Sequence, residues 1–202
     1  MKWIGLTGGM GTGKSTVSMI IQTLGYNVLN ADKSAHEALK KTSSIFPEIL
    51  RIFSDKILGP DGEIDRRKLG SIVFADKFML EKLEAITHPF IQDQTQKERE
   101  ALAAKGVEMA FYDIPLLFEK KLQKRFDKIV VVTCGKETQI QRAMERTKLS
   151  REEIRQRLAN QMAMETKAKM ANYVIRNDGS MEELKMKVQD LILQLKQDLK
   201  LV

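Results

Sequence analysis

Trp3-Ile4-Gly5-Leu6-Thr7-Gly8-Gly9-Met10-Gly11-Thr12-Gly13-Lys14-Ser15-Thr16-Val17-Ser18-Met19-Ile20-Ile21 opens the chain and decides its fold. The apolar run before Gly8 reads as a strand and the run after Thr16 as a helix. Between them Gly8, Gly13, Lys14 and Ser15 complete the pattern G-x-x-x-x-G-K-[ST], in the strand–loop–helix context that marks a P-loop. The glycines let backbone N–H groups turn inward around a phosphate where side chains would collide. The helix that follows points its unpaired N–H groups and positive dipole end at the same anion. Lys14 supplies a mobile positive charge for the β- and γ-phosphates, and the Ser15 hydroxyl is placed for Mg²⁺.

Outward from this loop the chain alternates strand and helix. Tyr26–Asn30 reads as a second strand, with Asp32 just beyond it and a helix expected over Lys33–Leu39. Val107–Asp113, Lys128–Thr133 and Asn172–Asn177 read as three more strands. The Lys128–Thr133 run is β-branched and continuously apolar, as a parallel strand covered on both faces must be. Helices are expected over Glu137–Thr147, after the capping-box sequence Ser150-Arg151-Glu152-Glu153, and over Met181 to about Leu199. There Leu184, Val188, Leu191 and Leu195 recur at core-facing spacing. The stretch Lys33–Lys105 is helical and polar. Interruptions are expected at Pro47, at Gly59-Pro60-Asp61-Gly62 and at His88-Pro89. The expected fold is α/β: a five-stranded parallel sheet in three layers, with helices on both faces, a helical insertion and a lid.

Composition narrows the function. With 202 residues, 43% hydrophobic and 30% charged, the chain can bury one substantial core with a small insertion. No apolar stretch is long enough to span a bilayer, and the first strand starts too early to leave room for a signal peptide. The single Cys134 builds neither an internal disulfide nor a metal cluster, and reads as a small core-edge residue. A cytoplasmic protein is expected. The net charge of +7 is spread along the chain and interleaved with acids rather than blocked, which favours solvated helix faces and phosphate ligands over nucleic acid or membrane.

The remaining residues discriminate among P-loop proteins. Neither D-x-x-G nor N-K-x-D occurs, so a GTPase is disfavoured. Asp113 ends its strand but leads into Ile114-Pro115 rather than a second acid, unlike many mechanical ATPases. Asp32 follows a parallel strand's carboxyl end, where ligand crevices form. Either it caps the next helix or it takes a proton from an acceptor hydroxyl, and a kinase needs the second role. Arg142 and Arg146 lie one turn apart on one helix face. They are a solvated face or part of a closing lid, with Arg142 the better phosphate clamp. His36 reads as an ordinary surface or packing residue. His88 is either a helix junction or a substrate contact.

Several segments resemble the dephospho-coenzyme A kinase family. They are Gly5–Thr16, Ala31-Asp32, Ile64-Asp65-Arg66-Arg67-Lys68-Leu69-Gly70, Ile72-Val73-Phe74 and Leu83-Glu84-Ala85-Ile86-Thr87-His88-Pro89. Asp113-Ile114-Pro115-Leu116-Leu117-Phe118-Glu119, Arg142, Arg157, Gln161-Met162 and Asn177-Asp178-Gly179 continue the likeness, which runs nearly end to end. The resemblance implies transfer of the γ-phosphoryl of ATP, with Mg²⁺, to the ribose 3′-hydroxyl of dephospho-CoA. It implies a core over roughly 1–32, 106–140 and 170–202, a helical CoA-binding region over 33–105 and a lid over 141–169. It also implies ATP binding by Gly8, Gly11, Thr12, Gly13, Lys14, Ser15, Thr16 and Asn177, catalytic roles for Lys14, Asp32 and Arg142, and an acceptor side formed by Asp32, His88, Asp113 and Leu116. Asn172 and Arg176 depart from the family's last-strand pattern, which carries acids at those two places. Another small-molecule kinase, or a silent nucleotide-binding regulator, is the alternative. The oligomeric state is not legible.

Overall fold

The computed structural model describes residues 1–201. Five strands form one sheet: β1 (Lys2–Gly8), β2 (Asn27–Asn30), β3 (Met109–Asp113), β4 (Lys128–Thr133) and β5 (Tyr173–Arg176), in the order β2-β3-β1-β4-β5. β1 pairs in parallel with β3 on one side and β4 on the other, and β4 pairs in parallel with β5. The register sets Leu6 opposite Asp113 and Gly8 opposite Val132. The carboxyl ends of β1 and its two neighbours therefore lie together, and the Gly8–Gly13 loop leaves from the middle of that row.

Alternation along the strands divides the core. Ile4, Leu6, Phe111, Val130 and Val132 face α1 (Lys14–Thr23) and the long C-terminal helix Met181–Asp198. From the latter Leu184, Val188, Leu191 and Leu195 close a single buried cluster. On the opposite face Trp3, Tyr112 and Phe126 stack with centroids 5.6 to 6.5 Å apart. Gly5 is needed there because a Cβ would stand 2.7 Å from Leu117 and 3.0 Å from the Phe126 ring.

The chain divides into two compact units, one of Met1–Leu29 with the residues from Gly106 onward, the other of Asn30–Lys105. The second unit holds α2 (Ala31–Ala38), α3 (Phe46–Phe53), α4 (Arg66–Ala75) and α5 (Lys77–Ala104), around Phe46, Ile49, Phe53, Ile57, Ile64, Leu69, Val73 and Ile86. Pro47 stands in the first turn of α3, where its missing N–H costs nothing. Asp65 caps α4 through the Arg67 and Lys68 amides.

One expectation fails here, and one of two alternatives falls away. His88-Pro89 does not end a helix, since α5 runs 28 residues straight through Pro89. A proline removes one backbone bond, and the turn before it is anchored by buried Ile86 and by Thr87, whose hydroxyl donates to the Leu83 carbonyl at 2.8 Å. Nor is Asp32 a cap: Asn30 holds that position, accepting from the Lys33 amide at 2.9 Å, and Asp32 is the second residue of α2.

The first unit continues with α6 (Lys136–Thr147), α7 (Arg151–Ala159), α8 (Met164–Met170) and α9 (Met181–Asp198). The Ser150/Glu153 capping box at the start of α7 forms as expected.

Candidate active site

The phosphate loop is held open by its neighbours. Gly11 and Gly13 have φ of 78° and 88°, the left-handed region that a side chain disfavours. At Gly11 a Cβ would strike the Gln139 carbonyl, and at Gly13 the Asn177 amide. These same residues brace the loop. Gln139, buried on α6, donates from Nε2 to the Met10 carbonyl at 2.8 Å. Asn177, buried just past β5, donates from Nδ2 to the Thr12 carbonyl at 2.9 Å. Thr12 ties the loop to itself through Gly9 O at 2.9 Å. With its carbonyls bound outward, the loop is free to present N–H groups inward.

The two cationic candidates stand on either side of this loop. Lys14 begins α1 and pairs with the Asp113 carboxylate. Asp113 ends β3 fully buried, and its other oxygen accepts from Ser18 Oγ at 2.9 Å. Ser18 lies one turn after Lys14, a spacing that could have flagged it in the sequence. Arg142 projects from α6 and donates through Nη1 to the Asn177 carbonyl at 2.9 Å. One residue thus joins the candidate clamp to the loop. Arg146 is exposed. Ser15 is exposed at the start of α1, and Thr16 donates its amide to Gly13 O at 3.0 Å. Cys134 lies against the loop, Sγ 3.8 Å from Gly11 O, and burial pushes its thiol above the ordinary range.

Beyond Asp113 the chain carries Leu116 on the surface, 37% exposed among buried neighbours. Glu119 closes this segment. Its Oε1 accepts from fully buried Lys167 on α8 at 2.7 Å and from the Met162 amide at 3.0 Å. Lys167 also reaches the Pro115 carbonyl at 3.4 Å. Desolvation pushes the Glu119 carboxyl up, but the Lys167 and backbone hydrogen bonds outweigh it and hold it below its ordinary value. Lys167 and Gln139 escaped the sequence reading because a lysine or glutamine on a polar helix signals solvent.

In the second unit Asp32 lies exposed on the first turn of α2. His88 is exposed on α5, with Nε2 3.9 Å from Glu84. The two last-strand departures have structural consequences. Asn172 accepts from the Ile129 amide at 2.8 Å through its amide oxygen. Arg176 is exposed and pairs with Asp178, whose other oxygen takes the Gly135 amide at 2.6 Å. The Gly135 hydrogen bond and Arg176 together hold the Asp178 carboxyl below its usual range.

A central parallel strand feeding a braced glycine loop, with a lysine at the next helix's start, defines a P-loop nucleotide-binding protein. Residues 2–183 match the family model for dephospho-CoA kinase. The dephospho-CoA kinase of Geobacter sulfurreducens is 46% identical over 95% of this chain and 97% of its own. Among solved structures, a dephospho-CoA kinase from Campylobacter jejuni superposes with a TM-score of 0.73 at 33% identity, covering 98% of this chain and 99% of its own. Protein TT1252 of Thermus thermophilus superposes at 0.83 with 36% identity, over 96% and 97%. The chain belongs to the dephospho-CoA kinase family.

Proposed function

We propose that this protein transfers the γ-phosphoryl of ATP to the ribose 3′-hydroxyl of dephospho-CoA, giving coenzyme A and ADP. The observation that carries the reading is the braced loop with Lys14 held on Asp113, in a chain matched to that family over residues 2–183. The Gly8–Thr16 amides and Lys14 would gather the ATP phosphates, Lys14 exchanging Asp113 for a phosphate oxygen. Asn177, braced between Thr12 and Arg142, would keep the loop in shape as ATP enters. Arg142 would add positive charge where it develops on the transferred group. Asp32 would accept the 3′-hydroxyl proton as the new O–P bond forms and the β,γ-bridging oxygen leaves with ADP. His88 and Leu116 would line the acceptor side.

The exposed Ser15 hydroxyl fits a divalent cation carried in with the nucleotide. Mg²⁺ would there neutralise phosphate charge. Small-molecule substrates are favoured by a charge that is interleaved along the chain rather than blocked, and no described helix is long and apolar enough to cross a membrane.

The test is ADP release with ATP and a panel of alcohol acceptors. Dephospho-CoA should be preferred over adenosine, shikimate and gluconate by at least about 10²-fold in kcat/KM. Equal rates with and without dephospho-CoA would overturn the reading.

A further inference from the structure

The buried pair of Glu119 and Lys167 belongs to a closed run of contacts that leaves the phosphate loop and returns to it. Thr7, the residue before Gly8, is fully buried and donates from Oγ1 to the Pro115 carbonyl at 3.1 Å. Lys167 Nζ reaches the same carbonyl at 3.4 Å, so one acceptor takes a donor from β1 and another from α8. Lys167 Nζ also donates to Glu119 Oε1 at 2.7 Å, and that oxygen takes the Met162 amide at 3.0 Å. Met162 stands in the turn between α7 and α8, and this turn lies against the loop. A Cβ on Gly9 would stand 3.0 Å from Met164 Sδ and 3.6 Å from Gln161 Oε1. The circuit thus passes from Thr7 through Pro115, Lys167, Glu119 and Met162 back to Gly9, and its ammonium is wholly withdrawn from solvent.

An ammonium is costly to bury even when paired, and two apolar side chains of similar volume would fill the same space. Packing does not call for a lysine here; the direction of its N–H groups does. Glu119 Oε2 is buried without a partner among the described residues, so Oε1 alone carries both the ion pair and the Met162 bond. We propose that Lys167 is a positioning residue for phosphoryl transfer. It holds the segment Asp113–Glu119 and the α7–α8 turn in register with the phosphate loop, without touching either substrate. A shift at Pro115 passes to Asp113, the partner of Lys14, and to Leu116 beside it. Displacement by about 1 Å at such a point costs on the order of 10²-fold in rate. The loop itself is braced separately, by Gln139 and Asn177, so ATP affinity does not depend on Lys167. The inference rests on dephospho-CoA being the acceptor, and it adds a residue that acts on the rate through Pro115 and Glu119.

The experiment is steady-state kinetics on the purified full chain, well below the melting temperature of every variant, with ADP and CoA formation followed side by side. Lys167→Met should lower kcat by about tenfold or more and leave the KM for ATP within about threefold. The share of ADP formed without CoA should rise, because a displaced acceptor yields its place to water. Lys167→Arg, which keeps a charged donor, should recover part of the rate. Thr7→Val removes the other donor to the Pro115 carbonyl and keeps the outline of the side chain. Combined with Lys167→Met, it should lose less than the product of the two single losses in kcat, since both act on one carbonyl. A lower melting temperature with kcat per folded molecule unchanged overturns the proposal, and so does a double variant whose loss equals that product. If Lys167→Met does not fold, Lys167→Arg and Thr7→Val decide: kcat within about twofold of wild type and an unchanged ratio of ADP to CoA in both overturns it. Wild-type protein that forms no CoA overturns the proposed function instead, and the same variants are then read on the acceptor it does phosphorylate.

Discussion

At the scale of single residues, the loop lysine and the base candidate are separable by experiment. Lys14→Ala should lower kcat by 10²-fold or more, because the transferred charge loses its main counter-charge from the protein. Retention of more than a tenth of the wild-type rate would exclude that role. Asp32→Asn should lower kcat by about 10²-fold while ATP binding, followed by equilibrium titration, is unchanged. Asn30 carries the cap of α2, so a loss of rate in this variant cannot be blamed on a lost helix cap. Arg142 has a double tie, to phosphate by proposal and to the Asn177 carbonyl by geometry. If its charge acts in the transition state, Arg142→Ala lowers kcat and kcat/KM together, by roughly 10²-fold. If it only braces Asn177, the change falls on the KM for ATP.

At the scale of elements, the buried pair of Glu119 and Lys167 fastens α8 to the segment after β3, and its two ends are unequal. Lys167 is fully buried whereas Glu119 keeps 19% of its side chain exposed. Glu119→Leu strands a buried cation and should cost about 3–5 kcal/mol, but Lys167→Met leaves a carboxylate that can turn toward water and should cost less. Chemical denaturation of the two variants checks the order. Because the folded Glu119 carboxyl lies below its unfolded value, its stabilisation is present above about pH 4.3. It is lost as pH falls through the lowered value. Acid unfolding of Lys167→Met should therefore show a shallower contribution in that window. Legibility in the sequence at this scale tracks locality. β4 is found at its expected bounds, Lys128–Thr133, because the unbroken β-branched run from Ile129 to Thr133 admits little else. The Ser150 box is a contact three residues long. The braces Gln139 to Met10 and Asn177 to Thr12 join residues 129 and 165 positions apart, and no local pattern encodes them. Pro89 misled for the opposite reason: its local signal is strong, but packing on Ile86 overrode it.

At the scale of the whole molecule, charge and chain order both have consequences. The net charge of +7 is dispersed, so duplex DNA binding, measured by fluorescence anisotropy, should be weak and vanish near physiological salt. Sub-micromolar binding there would revive a nucleic-acid role. Chain order bears on how the protein is made. β1 has two sheet partners, β3 and β4, and neither begins before residue 109. At about 5–20 residues per second, a ribosome spends several seconds on the insertion while β1, apolar on both faces, waits with both edges unpaired. The insertion has its own apolar centre and can collapse in that interval. The nucleotide site cannot exist until more than half the chain has emerged, so a transcript cut near residue 105 should yield a product that occupies chaperones rather than one that binds ATP.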